Sequence, residues 1–352
     1  MSAANSNRNA VARRRAHRGW SQAELARRAD IPRTTISAIE GDRLTPSVTA
    51  ALALARALEC SVEELFGGGA STAPTSGPGW AWTPRTGPCR YWEAEVGGRR
   101  FLFPTESLSL NAVPHDGVWR DGLGHDAGAV GAEATLILAC CDPAAGLLAS
   151  EYARVSGFRL IVFSRGGGEA LNLLKRGLVH VAGVHRSTRE QPDRNAEMVR
   201  LQLGGGYRLV RVAEWQEGLA LPADNPAHSP RAAAKRARRW ALREAGSAAR
   251  ECLDELRAHA PGRTVLSHTA VAEAVRGGWA DAGVCVQLSA QEAGLNFVPL
   301  RTETLDFVYS SAAQHDPRIQ ALVGLLHSRV YRRLVGDLPG YDARHTGELL
   351  AA

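Results

Sequence analysis

The sequence predicts a multidomain chain in which a small all-α bundle is followed by a β-rich connector and then by an α/β domain. Three observations carry this. Up to Phe66 the apolar residues recur at helical spacing. From Gly67 to Gly79 the run GGGASTAPTSGPG has no apolar periodicity and is almost wholly Gly, Ser, Thr, Pro and Ala, the composition of a flexible linker. From Thr135 onward strand-like and helix-like stretches alternate, the pattern of βα units on a mainly parallel sheet. A length of 352 residues suits two or three domains, each able to bury a core.

Composition narrows the class. Apolar residues make up 45% and charged residues 22%. No apolar run approaches the roughly 18 to 20 residues that span a bilayer, and the arginine-rich N-terminus leads into no signal-peptide core. A cytoplasmic protein with no membrane partner is expected. The six cysteines, Cys60, Cys89, Cys140, Cys141, Cys252 and Cys285, form no CxxC pair, which argues against a disulfide framework and a zinc knuckle. They read as reduced thiols, and neither a metal nor a cofactor is expected. A net charge of +6 is compatible with a nucleic-acid partner but names none.

In the N-terminal block, GWSQAELARRADIPRTTISAIEGDRLTPS, Ser21 is an N-cap with Glu24 three residues on, the capping-box spacing. Leu25, Ala26 and Ala29 form the inner stripe of that helix. Asp30 and Ile31 make a short turn, Pro32 is a first-turn proline, and Ile36 and Ile39 are the buried side of the next helix. Flanking helices are expected at Asn9–Arg18 and Val48–Leu58, with Val62, Leu65 and Phe66 closing the bundle.

Two short helices joined by a tight turn make a helix-turn-helix, and the block resembles the Cro/C1-type (XRE) family along nearly all of Asn7 to Phe66. The resemblance implies that Gln22 grips a phosphate, that Arg33, Thr34, Thr35 and Ser37 face base edges, and that Arg43 touches the DNA backbone. The chemistry agrees. Arginine can bond guanine bidentately in the major groove, and short hydroxyl side chains reach base edges or phosphates. One such unit offers few contacts, so a homodimer on a two-fold operator is expected.

Past the linker, Trp80 to Gly128 contains alternating stretches such as RYWEAEV and RRFLF, which read as β-hairpins. The α/β part then offers four strand-to-helix turns. In FRLIVFSRGGGEALNLLKRGLVHVAGVH, a strand reaches Ser164, three glycines follow, and a helical pattern starts at Glu169. This is neither GxxxxGK[ST] nor GxGxxG, so it does not predict a phosphate-loop enzyme. A tight turn is expected whose amides face a ligand, with Gly167 required either for close approach or for a positive φ, the alternative being that the glycines serve only strand-to-helix packing. The other turns are Cys140–Asp142–Pro143, Gly246–Ser247 before a helix carrying Arg250, and Ser267–His268–Thr269. Together they would converge at the C-terminal edges of strands, where open α/β sheets bind ligands.

The ordered blocks CDPA, S.GGG.AL..L..G..HVAG.H, W.EGL…NP, R..GS..R..LD.L, H.AVAEAV..G.AD.GV and GL.FVPL..E..D.V resemble the cytoplasmic periplasmic-binding-protein-like domain related to molybdate-binding proteins. The resemblance covers roughly Ala129 to Ser311. It implies a two-lobed type II fold with the ligand in the cleft, one lobe comprising 131–212 plus 300–352 and the other 213–299. It further implies that Cys141, Asp142, Ser164, Gly166, Gly167, Gly168, His185, Ser247, Arg250 and His268 lie near that cleft. An oxyanion effector such as molybdate or tungstate follows from the same resemblance. Where such domains commonly show GSGTR, this chain has GSAAR, and Ala248 and Ala249 remove a flexible glycine and a hydroxyl donor.

Three features carry a plainer reading as well. Cys140 and Cys141, if both lie on a strand, point to opposite faces, which favours packing over joint chelation. His185 is either a cleft donor or the end of an apolar strand. The basic run RAAAKRARRWALR, Arg231 to Arg243, is a solvated helix face or else an auxiliary DNA or partner surface. No nucleophile, base and orienting group form a legible catalytic set, so no enzyme is expected. The chain reads as a ligand-responsive DNA-binding transcription regulator. The alternatives are a regulator whose second domain has lost its ligand and serves oligomerisation, and an enzyme using the cleft.

Overall fold

The computed structural model describes residues 10–41, 43–58, 60, 62–66, 78–84, 89–106, 114–120, 123–126, 131–225 and 229–351. Two compact units, Met1–Gly77 and Pro78–Ala352, divide the chain. The expected linker lies outside the described residues except for Pro78 and Gly79.

The first unit consists of α1 (Ala10–His17), α2 (Gln22–Ala29), α3 (Arg33–Glu40), α4 (Val48–Ala57) and α5 (Val62–Phe66). The Ser21 hydroxyl accepts the Glu24 amide at 3.1 Å, starting α2. Asp30, at φ 52, ends it in the left-handed conformation that a short polar side chain tolerates. Pro32 is the N-cap of α3 rather than its first helical residue, with φ −55 and ψ 139. Leu25, Ile36, Ile39, Leu54 and Leu58 form the core.

The second unit opens with a five-stranded sheet: β1 (Gly79–Trp80), β2 (Cys89–Val96), β3 (Arg99–Pro104), β4 (Gly117–Arg120) and β5 (Leu123–Asp126), in the order β1-β3-β2-β4-β5. Gly97 and Gly98, at φ 58 and 73, supply the two-residue turn between β2 and β3. The sheet is not a free-standing connector. Ala94, Val96, Phe101 and Phe103 share one core with Ile137, Phe163 and Leu171 of the α/β part. The Arg159 guanidinium donates to both Asp116 carboxylate oxygens, at 2.5 and 2.7 Å.

The α/β part runs β6 (Thr135–Cys140), α6 (Ala145–Ser156), β7 (Arg159–Ser164), α7 (Gly167–Lys175), β8 (Val181–Ser187), α8 (Arg194–Leu203) and β9 (Tyr207–Leu221). It continues with α9 (Pro230–Arg236), β10 (Trp240–Leu242), α10 (Ala248–Leu256), β11 (Gly262–Thr264), α11 (His268–Arg276), β12 (Ala282–Val286) and α12 (Gln287–Glu292). It closes with β13 (Asn296–Ser310), α13 (Pro317–His327), α14 (Arg329–Gly336), β14 (Tyr341–Asp342) and β15 (Leu349–Ala351). The sheet order is β11-β10-β12-β9-β13-β8-β6-β7, with β14 and β15 added on β9.

β9 and β13 pair antiparallel along their whole length and make the fold two-lobed. One end of the pair continues through β8 into the parallel trio β7-β6-β8, and the other through β12 into the parallel trio β11-β10-β12. Each lobe has apolar cores of its own, while Val286 and Leu288 of the second lobe join the largest core of the first. Register shifts between Pro299 and Arg301 and between Leu305 and Asp306 bracket the crossing, the kind of bulge that bends a strand and re-aims its side chains.

The basic run Arg231–Arg243 is not one helix. α9 stops at Arg236, and Trp240, Ala241 and Leu242 form a buried strand between β11 and β12. Burial of that apolar triplet overrides the local helical composition. Among the described residues, no helix is long and apolar enough to cross a membrane.

Candidate functional site

Between the lobes, at the β9–β13 crossing, polar side chains that are rarely buried meet in the interior. Cys141 is the first residue beyond β6, His185 lies on β8 and His268 begins α11 behind its N-cap Ser267. All three are buried, His268 fully. The Cys141 Sγ lies 2.9 Å from His185 Nε2. On the other side of the ring, His185 Nδ1 stands 2.7 Å from a carboxylate oxygen of Glu303. With Nδ1–H donating to that carboxylate, Nε2 is the acceptor facing the thiol.

Strand pairing places the remaining members. In the β9–β13 register Arg301 lies opposite Glu217, and Glu303 opposite Trp215. Period-two alternation then sets Glu217 beside Trp215 and Glu303 beside Arg301 on the same faces. Arg301 donates to Glu303 at 2.7 Å and to the Ala248 carbonyl at 2.9 Å. Arg243, just past β10, donates two bonds of 2.8 Å to Glu244. The Trp215 ring stands edge-on to both imidazoles, 4.9 Å from His185 and 6.0 Å from His268.

The ionisation states follow from burial and charge. Burial, then the neighbouring Glu303 charge and hydrogen bond, push the Glu217 carboxyl well above the usual range. Burial likewise raises Glu303, against the opposing pull of Glu217 and Arg301. Burial would lower His185, but the adjacent Cys141 and Glu217 outweigh it and raise the imidazole. His268 is pushed well below its ordinary value by burial and by the Arg243 and His185 charges, and stays neutral.

Several of these groups lack the partners that burial requires. Both ring nitrogens of His268, Nη1 of Arg243 and Oε1 of Glu217 are buried without a hydrogen bond. An unsatisfied buried polar atom costs about 1–3 kcal/mol, more for a charged group, so this buried cluster holds hydrogen-bonding capacity that the protein alone leaves unused.

A groove of about 660 Å³ is lined by Gly166, Gly168, Arg186, Glu244, Gly246 and Ser247, among others. Arg186 bridges its walls by donating to the Gly246 carbonyl and pairing with Glu251 at 2.8 Å.

The structure sorts the residues named from sequence. Cys141, His185 and His268 come together in the buried cluster, while Gly166, Gly168 and Ser247 meet at the groove. Asp142 is buried, yet it is held by the Tyr341 hydroxyl at 2.6 Å and the Ala144 amide at 2.9 Å, bonds that order the turn into α6. Ser164 is exposed at the end of β7, and Arg250 bonds Asp254 along its own helix at 3.0 Å. Cys140 and Cys141 do part company, Cys140 packing against Gly183 and Cys141 against His185.

The expected positive φ at the glycine turn is not found. Gly166 has φ −64 and caps α7, and Gly167 and Gly168 are likewise outside the left-handed region. A Cβ on Gly167 would meet Gly183 O and Val184 Cα at 3.5 Å, ordinary contact, so this glycine serves the packing of α7 on β8.

Sequence reasoning assigned no role to Trp215, Glu217, Arg243 or Glu303. A charged residue two positions from a tryptophan in WQE, and two charged residues two apart in RTE, were the available signal.

In the helical unit, Arg33, Thr34 and Arg43 are exposed and Thr35 and Ser37 half-buried. The Gln22 carboxamide donates to Glu40 at 2.9 Å, and the same carboxylate accepts from Arg15 at 2.6 and 2.9 Å.

Comparison with known proteins places both units. The family model described as "PBP superfamily domain" matches residues 149–327, just over half of the chain. The chain belongs to the PBP superfamily. A model described as "Helix-turn-helix" matches residues 11–65. This PBP-superfamily protein therefore joins a helix-turn-helix DNA-binding domain to a PBP-like ligand-binding domain. It is 30% identical over 198 residues to the uncharacterized protein YvgK of Bacillus subtilis, a match spanning 53% of this chain and 64% of that protein. A histidine kinase sensor domain with similarity to periplasmic binding proteins aligns over 59% of this chain and 97% of its own, at 14% identity and a TM-score of 0.42. The reduced form of OxyR from N. meningitidis aligns over 59% and 98%, at 13% identity and a TM-score of 0.43.

Proposed function

We propose that the protein is a cytoplasmic, ligand-responsive transcription regulator that senses a small polar or anionic effector held between the lobes of its PBP-like domain. The observation that carries this is the set of buried, unpartnered polar atoms on His268, Arg243 and Glu217, which a bound effector would satisfy. A domain that had lost its ligand and served only oligomerisation would gain from replacing these groups by apolar ones. Molybdate and tungstate are the first candidates, since the buried cluster contributes the Arg243 guanidinium and the groove is bordered by the N-termini of α7 and α10.

Closure of the lobes on the effector is the proposed signal, and operator affinity changes through a homodimer. The β1–β5 sheet shares its core with β6, β7 and β8, so it belongs to one lobe and moves with it. That makes the sheet a rigid outlet toward the linker, better suited to transmission than a free tether.

A thermal-shift screen of the chain with molybdate, tungstate, sulfate, phosphate and small metabolites tests the reading. A true effector raises the midpoint in proportion to ln(1 + [L]/Kd) and is recovered unchanged. Turnover of the hit would make the protein an enzyme instead, and a flat response to every compound would favour a domain that no longer binds.

A further inference from the structure

We propose that the buried interlobe cluster is a transition-metal site in which Cys141, His185 and His268 bind one Zn(II)-class ion and leave a fourth coordination position open. The inference deepens the effector-sensing reading and rests on it for its regulatory meaning, while its geometry stands on the side chains alone.

Among the described residues, the donor atoms of Cys141, His185 and His268 lie within 4.8 Å of one another, and all three residues are buried. Tetrahedral zinc has Zn–S near 2.3 Å and Zn–N near 2.0–2.1 Å, which sets the S···N separation at about 3.6 Å. The Cys141–His185 distance of 2.9 Å must therefore open by less than an ångström, which a rotation of the thiol side chain supplies. The three ligands come from three separate elements, and His268 comes from the opposite lobe to Cys141 and His185. An ion held by all three ties the lobes together.

Two further features are those of a metal centre rather than of packed side chains. His268 keeps both ring nitrogens free of hydrogen bonds although fully buried, so a lone pair is available. His185 donates its outer nitrogen to the Glu303 carboxylate at 2.7 Å, the carboxylate–histidine arrangement that fixes the ring and raises its basicity toward a metal. Thiolate and imidazole donors together select Zn(II) or Cu(I) over the harder Mg(II) and Ca(II). On binding, the Cys141 thiol loses its proton to the buffer, and the ion takes the thiolate and two neutral imidazoles. Arg243 opposes the cation, and the Glu217–Glu303 pair offsets it. The open position is available to an anion, which would bring the oxyanion candidates and the metal into one site.

The experiment titrates Co(II), as a spectroscopic stand-in, into the full chain under reducing conditions, with Cys60→Ser and Cys89→Ser removing the two partly exposed thiols. One equivalent of Co(II) should produce a thiolate-to-cobalt charge-transfer band with the strong visible absorption of tetrahedral cobalt, and Zn(II) should abolish it. Cys141→Ser should remove the charge-transfer band. His268→Asn should weaken binding at least tenfold, and Glu303→Gln by roughly 10–100-fold while keeping the band. Absence of the band at stoichiometric Co(II) both in the wild-type chain, which needs no variant to fold, and in the folded Cys60→Ser, Cys89→Ser chain, or an unchanged band in a folded Cys141→Ser chain, overturns the site. A chain that binds no metal but whose operator affinity answers another effector overturns the metal site alone. A chain that binds metal stoichiometrically with no effect on DNA binding keeps the site and overturns its regulatory meaning.

Discussion

Acidification should loosen the β1–β5 sheet from its lobe, because His180 joins the two in a way that only the neutral ring allows. Its Nδ1 accepts the Ile137 amide at 2.9 Å, and its Nε2–H donates to the Glu95 carbonyl of β2 at 2.8 Å. Burial, with help from the Arg318 charge, lowers its pKa from 6.5 to about 4, against the opposing influence of the Glu95 carbonyl and Asp316. The unfolded chain therefore binds more protons between those two values. Stability from this residue is fully present above about pH 6.5 and is lost as the pH falls toward 4. The shift corresponds to about 3 kcal/mol in total and about 2 kcal/mol by pH 5.

Urea unfolding of residues 78–352 at pH 7 and pH 5, for wild type and His180→Asn, measures it. The variant should be weaker at pH 7 by about 1–3 kcal/mol for its lost bonds. Its further loss on going to pH 5 should be smaller than that of wild type by about 2 kcal/mol. His268 titrates with the same sign, so the difference between the two proteins is diagnostic rather than either slope. Equal losses in both would refute the assignment of His180.

Residues 78–352 without the helical unit should fold and retain effector binding, as seen by calorimetry, since the chain divides at Gly77 and Pro78. Arg33→Ala should cost about 1–3 kcal/mol of operator affinity and relax sequence preference in footprinting. Gln22→Ala should instead weaken binding to all DNA more evenly, with an added loss of bundle stability because Gln22 also holds Glu40. Gly183→Ala should destabilise by roughly 1–3 kcal/mol in urea titration, because the added Cβ would stand 2.6 Å from Cys140 Cβ in a packed core. Gly167→Ala, whose Cβ finds 3.5 Å contacts, should stay within about 1 kcal/mol of wild type in the same titration.

Local signals sufficed where the physics is local. The Ser21–Glu24 cap and the Leu25, Ile36, Ile39 spacing make α2 and α3 legible, and alternation from Thr135 makes the α/β fold legible. The core shared by Phe103 and Phe163 joins segments sixty residues apart in sequence, and nothing near either phenylalanine announces it. The site divides in the same way. Cys141, His185 and His268 sit at strand-to-helix turns or strand ends, places where function is expected, whereas Glu217 and Glu303 acquire meaning only through the β9–β13 register. Arg243 was hidden by composition. Its basic surroundings suggest a solvated helix, and only burial of Trp240–Leu242 reveals that it enters the interior. The glycine turn shows the opposite error, for three glycines suggest a left-handed turn, while the left-handed glycines of the α/β part lie elsewhere, Gly246 and Gly278 among them.

Coupling between effector and operator is the centre of the account. The direct measurement is the affinity of the full chain for an operator selected from random duplex DNA, with and without a saturating effector from the thermal-shift screen, at fixed salt. The account expects a change of about 5–150-fold, and the operator should alter effector affinity by the same factor. An effector that binds the chain tightly while leaving operator affinity unchanged would contradict it.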